Sequence, residues 1–128
     1  MDTMEKSKDQ QMTEDYNASI IETLQEIETK ARAEVVNDED YEQSAWSLWL
    51  DDVLEIVTLG RKSNHGKWEI HGVEVLISFG GPTTRATFTS GSEWITVTTG
   101  WGGVVSQEVY LPLLAAELEQ YAENQEIN

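Results

Sequence analysis

Between residues 53 and 111 the chain is a succession of short β-branched runs separated by turn-forming residues, and this limits its fold more than any other feature. Residues 53–61 are rich in β-branched and aliphatic residues, and 62–67 (Lys-Ser-Asn-His-Gly-Lys) form a turn or short loop. The next run holds two alternations out of phase. Trp68 and Ile70 share one parity; Val73, Val75, Ile77 and Phe79 share the other. The slip at His71-Gly72 predicts a β-bulge or kink. Gly80-Gly81-Pro82 ends that run. Residues 83–89 make a third strand with Ala86 and Phe88 on one face. Ser90-Gly91-Ser92 leads into residues 93–99, where Ile95 and Val97 share a face, and Gly100-Trp101-Gly102-Gly103 leads into a last strand over 104–111.

Both flanks read as helical. Ile20, Leu24, Ile27, Ala31 and Val35 recur at spacings of 4, 3, 4 and 4, one face of a helix, with Ile21 widening the stripe. Glu22, Glu26, Glu28 and Glu34 fall outside it. The helix is expected to end near Asn37, where Asn37-Asp38-Glu39-Asp40 is too polar and charge-dense to continue it. A short second helix is expected over residues 41–52 with Trp46, Trp49 and Leu50 inward. At the other end Pro112 suits a first helical position, since it has no amide proton to leave unpaired. Leu114, Leu118 and Tyr121 follow at helical spacing, with Glu117, Glu119 and Glu123 facing elsewhere.

The expected fold is α+β: an amphipathic N-terminal helix, a short second helix, a four- to five-stranded antiparallel meander and a C-terminal helix, with the helices on one face of the sheet. Residues 1–12 read as a flexible acidic leader and 13–126 as a single domain. In a meander the loops at 62–67 and 90–92 share one end of the sheet, and those at 80–82 and 100–103 the other. The short loops allow this order without fixing it.

Composition removes several function classes. The longest apolar run is four residues, 113–116, where a membrane span needs about 20. Without cysteine there is no disulfide framework or Cys-based zinc finger. The N-terminus lacks the basic and apolar regions of a signal peptide, and Asp2 excludes myristoylation. The sequon Asn17-Ala18-Ser19 then reads as chance, and the expected location is cytoplasmic. With 39% hydrophobic residues and five tryptophans, the chain can build a core.

Candidate chemistry is sparse. Asp51-Asp52 reads as a solvated helix end, because adjacent residues do not face one point. Residues 37–42 superficially resemble a calcium loop but lack its glycine and its twelfth-position glutamate. His65 and His71 have only Glu69 and Glu74 near them in sequence, fewer than a metal site needs. No nucleophile motif or phosphate-cradling loop is present. No enzyme activity, cofactor or metal is expected. Arg61, Lys62 and Lys67 beside Trp68 are the one basic cluster, three of eight bases. Such a loop can hold a phosphate or nucleotide; bases that offset neighbouring acidic helices are the favoured reading. Trp46 and Trp49 suit the core. Trp101, between glycines, suits an interface anchor or a ring folded back over the sheet about equally.

The dominant chemical feature is acidity: 24 acids against 8 bases, a net charge of -16. Residues 1–42 carry 13 acids and 4 bases, the middle 43–110 is nearly balanced, and 111–128 carry 4 acids and no base. Duplex DNA bears one charge per about 1.7 Å of axis, so this charge matches roughly 27 Å of duplex, close to a domain's width. An acidic surface can occupy a groove built for phosphates. Net charge that only maintains solubility, or a halophilic source, accounts for the same count.

In size, acidity, lack of cysteine and lack of catalytic motifs the chain resembles small phage- or plasmid-encoded anti-defence proteins, the DNA-mimicking anti-restriction proteins and acidic anti-CRISPR proteins. The resemblance covers composition and charge and no motif. It implies a non-enzymatic inhibitor or decoy that binds a basic nucleic-acid-handling protein, such as a CRISPR or restriction nuclease, and blocks its nucleic-acid site. The partner-binding residues expected from the charge distribution are Glu22, Glu26, Glu28, Glu34, Asp38, Glu39 and Asp40, with Trp101 as an apolar anchor. Direct nucleic-acid binding and membrane association are not expected, and the chain is expected to be a monomer or homodimer. The alternative is a small interaction or assembly module whose acidity serves solubility.

Overall fold

The computed structural model describes residues 7–36 and 44–125. The elements are α1 (Lys8–Val36), α2 (Ala45–Asp52), β1 (Glu55–Lys62), β2 (Trp68–Ser78), β3 (Thr83–Thr89), β4 (Trp94–Gly100), β5 (Val104–Tyr110) and α3 (Pro112–Glu123). The strands pair antiparallel in sequence order, as one five-stranded meander. Alternation gives the sheet two unlike faces. Val73, Val75, Ala86, Phe88, Ile95, Val97 and Val109 point into one core with Ile21, Leu24, Trp46, Leu114 and Leu118 from the helices. The other face is polar at its centre, where Arg85 pairs with Glu74 at 3.0 Å and the Thr98 and Ser106 hydroxyls meet at 2.8 Å, and carries exposed Val57, Trp94, Val104 and Tyr110 around them.

The expected irregularity in β2 is a bulge. Leu59 pairs with Gly72 and Gly60 with Ile70, so His71 is the extra residue. The slip lets both Ile70 and Val73 pack toward the helices, which a regular strand would forbid. Gly72 is required there, because a Cβ would collide with the Phe88 carbonyl oxygen of β3. That oxygen belongs to a paired strand and cannot yield cheaply. Gly72→Ala is expected to destabilise the fold by about 2–3 kcal/mol, read as a lower urea midpoint at an unchanged m-value. A second slip, between Leu76 and Ser78, ends the alternation, and Phe79 lies outside the strand and exposed, not inward with Val73.

The first helix differs from its sequence reading in two ways. It begins at Lys8, so residues 8–12 are helix and not leader; residues 1–6 lie outside the described residues. Ser7 starts it: its Oγ accepts from the Gln10 amide at 3.1 Å and its carbonyl from the Gln11 amide at 3.0 Å. The buried stripe is also rotated. It runs Thr13, Asn17, Ile21, Leu24, Glu28 and Ala31, with Ile20 and Ile27 half-buried beside it and Val35 exposed. Half of this stripe is polar, so hydrophobic periodicity alone placed its centre too far round the helix.

Among the described residues each buried polar side-chain atom has a partner. The Thr13 hydroxyl donates to the Asp9 carbonyl at 2.7 Å and accepts from the Gly102 amide at 3.3 Å. Asn17 Oδ1 accepts from Thr99 Oγ1 at 2.7 Å, and Thr99 meets Thr84 at 2.7 Å. The Asn17 of the sequon is thus a buried tie between α1 and the sheet.

Helix α2 is capped by Ser44, whose Oγ accepts from the Ser47 amide at 3.1 Å; residues 41–43, expected within this helix, lie outside the described residues. Trp46 is buried and meets Trp49 edge-on at 5.4 Å, while Trp49 and Leu50 pack half-buried on the core. Pro112 opens α3, which buries Leu114, Ala115, Leu118 and Ala122.

Candidate functional site

The acidic residues fall into two sets by what their carboxylates touch. The inward set begins with Glu28, which is 4% exposed. Its Oε1 accepts from Trp46 Nε1 at 3.0 Å and from the Leu114 amide at 3.1 Å, and its Oε2 accepts from the Leu113 amide at 3.0 Å. The sequence of α3 explains the need. Leu111 occupies the cap position and offers no side-chain acceptor, and Pro112 has no amide proton. Leu113 and Leu114 are then the first amides left over at the helix start, and a carboxylate there also suits the helix dipole. Glu28 supplies the cap from 85 residues away.

Three more glutamates tie the fold together at its surface. Glu34 is half-buried and accepts from the Ala45 amide at 3.0 Å, the start of α2. Glu117 accepts from Ser44 Oγ at 3.1 Å. Glu119 accepts from Ser90 Oγ at 3.0 Å and from the Gly91 amide at 3.2 Å, across the β3–β4 turn. Glu28 and Glu34 therefore do not belong to an outward partner-facing set. The rotated α1 stripe carries Glu28 into the core, and the α2 helix start engages Glu34. Asp38, Glu39 and Asp40, and with them the calcium-loop-like segment, lie outside the described residues.

The outward set keeps Glu22 and Glu26, both exposed, and adds Asp15, which sequence reading passed over. Positions 15, 22 and 26 differ by seven and four residues, so they fall on one stripe of α1 within about 20° of its line. The stripe spans roughly 16 Å. No lysine or arginine occurs between Asp9 and Thr29. Gln11 Nε2 donates to Asp15 Oδ1 at 3.0 Å, the ordinary support of an exposed i, i+4 pair. Trp101 is half exposed in the β4–β5 turn. The same turn packs on the first turns of α1: a Cβ at Gly102 would collide with Asp9, and its amide donates to Thr13. From Thr13 to Glu22 the helix rises about 14 Å, so Trp101 lies near one end of the acidic helix.

A second acidic region lies between α2, α3 and edge strand β1. Ser47, Leu50, Asp51, Ile56, Glu117, Gln120, Tyr121 and Asn124 line a cleft of about 350 Å³. Neither helix carries a lysine or arginine. Sequence reading set Asp51 aside because it does not share a point with Asp52. The residue that joins it at the cleft is Glu117, and only the tertiary fold shows that. Carboxylates at the rim and amide and phenol groups beside them suit a cationic side chain.

His65 lies exposed in the β1–β2 turn and His71 exposed at the bulge. Among the described residues no three or more His, Asp or Glu side chains converge as metal ligands. Among them, too, no helix is long and apolar enough to cross a membrane. Comparison with known proteins finds no matching family model, no matching curated protein and no matching solved structure.

Proposed function

We propose that this protein is a non-enzymatic acidic inhibitor or decoy, which binds a basic nucleic-acid-handling protein and blocks its nucleic-acid site. The exposed stripe Asp15, Glu22 and Glu26 on a base-free length of α1 carries this reading. It is a helical surface of one charge sign on a chain of net charge -16, and its carboxylates suit lysines and arginines that otherwise hold phosphates. The division of acids strengthens it: the glutamates engaged inside the fold are elsewhere, and these three are left to the surface. A host defence nuclease is the target class that the likeness to anti-defence proteins suggests. Affinity capture from nuclease-treated host lysate tests the reading. The expected result is retention of a basic nucleic-acid enzyme at low salt, released by high salt and displaced by added DNA or RNA. Retention only of a neutral partner that withstands salt would oppose it.

A second reading, an assembly module, draws on different features. Trp94 and Tyr110 form an exposed aromatic pair with centroids 5.4 Å apart, and β1 and β5 are the sheet's two edge strands. Dimerisation through the apolar stripe of α1 is not part of it, because Ile21, Leu24 and Ala31 are buried in the core. A monomer across the micromolar range in sedimentation analysis would remove a self-assembling module.

A further inference from the structure

The hairpin of β1 and β2 is longer than the strand beside it. β3 pairs with β2 only as far as Gly72, opposite Thr89, and the Ser90 amide then donates to the His71 carbonyl at 2.8 Å. Beyond that point Gly60↔Ile70, Arg61↔Glu69 and Lys62↔Trp68 continue as a two-stranded arm. Trp68 lies three residues past His71, about 10 Å along the strand. Its tip is built, not slack. Ser63 Oγ accepts from the His65 and Lys67 amides, both at 3.3 Å, the Ser63 amide donates to the Lys67 carbonyl at 2.7 Å, and Gly66 takes a φ of +80°.

This arm is where the charge of the molecule reverses. Arg61, Lys62 and Lys67 are exposed, and none forms an ion pair with a described residue. They do not serve to offset the acidic helices through direct contacts. Trp68 is 55% exposed. Lys62 and Trp68 are cross-strand partners and share a face of the arm, whereas Arg61 and Glu69 share the opposite one. The Cβ atoms of Lys62 and Trp68 therefore lie about 5 Å apart on one face, which puts an ammonium within reach of the exposed indole, and Lys67 precedes Trp68 at the tip.

We infer that this arm binds single-stranded nucleic acid, with a base stacked on Trp68 and the flanking phosphates held by Lys62 and Lys67. Strand, base and phosphate account for both halves of the feature. An acidic peptide would use the lysines but offers the indole a planar partner only where its sequence happens to carry one, and a duplex keeps its base faces stacked away. The acidity of the body does not forbid the contact. The Debye length is about 14 Å at 50 mM salt and about 8 Å at physiological ionic strength, so at the tip of the arm the field of the body is already partly screened. The inference departs from the expectation, drawn from net charge, that the chain makes no direct contact with nucleic acid. It is independent of the proposed protein target.

The test is fluorescence anisotropy of a fluorescein-labelled ten-nucleotide oligothymidylate with the full chain at 50 mM salt. The expected result is saturable binding that Trp68→Ala weakens about tenfold or more, the range of one lost base stack. Trp68→Phe should retain most of it. Lys62→Gln with Lys67→Gln should weaken it and flatten its salt dependence, while Trp94→Ala, an exposed tryptophan off the arm, should leave it unchanged. Circular dichroism melts confirm that each variant is folded. No binding at 50 mM salt would overturn the inference, as would binding that Trp68→Ala leaves intact. Equal competition by polyglutamate of the same charge would overturn it too, showing a charge contact open to acidic protein. No protein partner enters the assay, so either outcome is separate from the fate of the acidic-face reading.

Discussion

Replacing Glu28 by alanine is expected to lower the melting temperature by roughly 10–20 °C, the effect of about 3–5 kcal/mol in a domain of this size. The change orphans three donors at once: the Trp46 indole N–H and the Leu113 and Leu114 amides. Hydrogen bonds to a charged acceptor contribute about 1.5–3 kcal/mol each, and a buried donor left without a partner costs about 1–3 kcal/mol. The loss stays below the simple sum because burying the carboxylate is itself unfavourable, and because Leu113 lies near enough to the surface for water to reach its amide. Glu28→Gln should cost less, about 1–2 kcal/mol. An amide oxygen can still accept from Trp46 and Leu114, but the NH₂ then meets the Leu113 amide donor to donor. Thermal melts followed by tryptophan emission read both changes, since Trp46 is a direct partner. Equal stability of Glu28→Ala and the wild type would show that α3 starts without this cap.

The Glu28 contacts change what the acidity of this chain means. Of the glutamates on the three helices, four hold helix starts, a serine cap and a turn. Glu28 alone joins α1, α2 and α3. Part of the negative charge is therefore architectural. The functional claim narrows to those acids that the fold leaves outward.

The β half of the fold was legible because its signals are local. Turn residues mark each strand end, and parity shows which side chains face the core. The bulge at His71 was visible as a phase slip between Ile70 and Val73, and β3 occupies the very residues, Thr83–Thr89, that its pattern indicates. The first half of α1 was not legible. Thr13 and Asn17 look like solvent-facing residues, and their burial depends on Gly102 and Thr99, more than 80 residues away. Glu28 misled for the same reason. One signal did exist: a helix opened by Leu111-Pro112 lacks its own cap, and a buried tryptophan needs an acceptor. Those needs point to some distant acceptor without saying which. The cleft joining Asp51 to Glu117 was invisible, because it exists only where α2 and α3 meet.

The second large effect concerns binding. Glu22→Lys with Glu26→Lys reverses two exposed charges that make no hydrogen bond to a described residue, so folding stability should stay within about 0.5 kcal/mol of wild type. Against a basic partner the same change replaces two attractions with two repulsions. A loss of about 3 kcal/mol corresponds to a dissociation constant roughly 100-fold higher, with most of the salt dependence gone. Lysines at 22 and 26 leave the core, the Glu28 cap and the basic arm untouched. The decisive measurement is accordingly the low-salt capture of basic nucleic-acid enzymes from nuclease-treated lysate by the wild type and by Glu22→Lys/Glu26→Lys, with equal melting temperatures confirmed first. Loss of capture in the folded variant is the expected result. Capture undiminished by the reversal would contradict the assignment of the α1 face as the partner-binding surface.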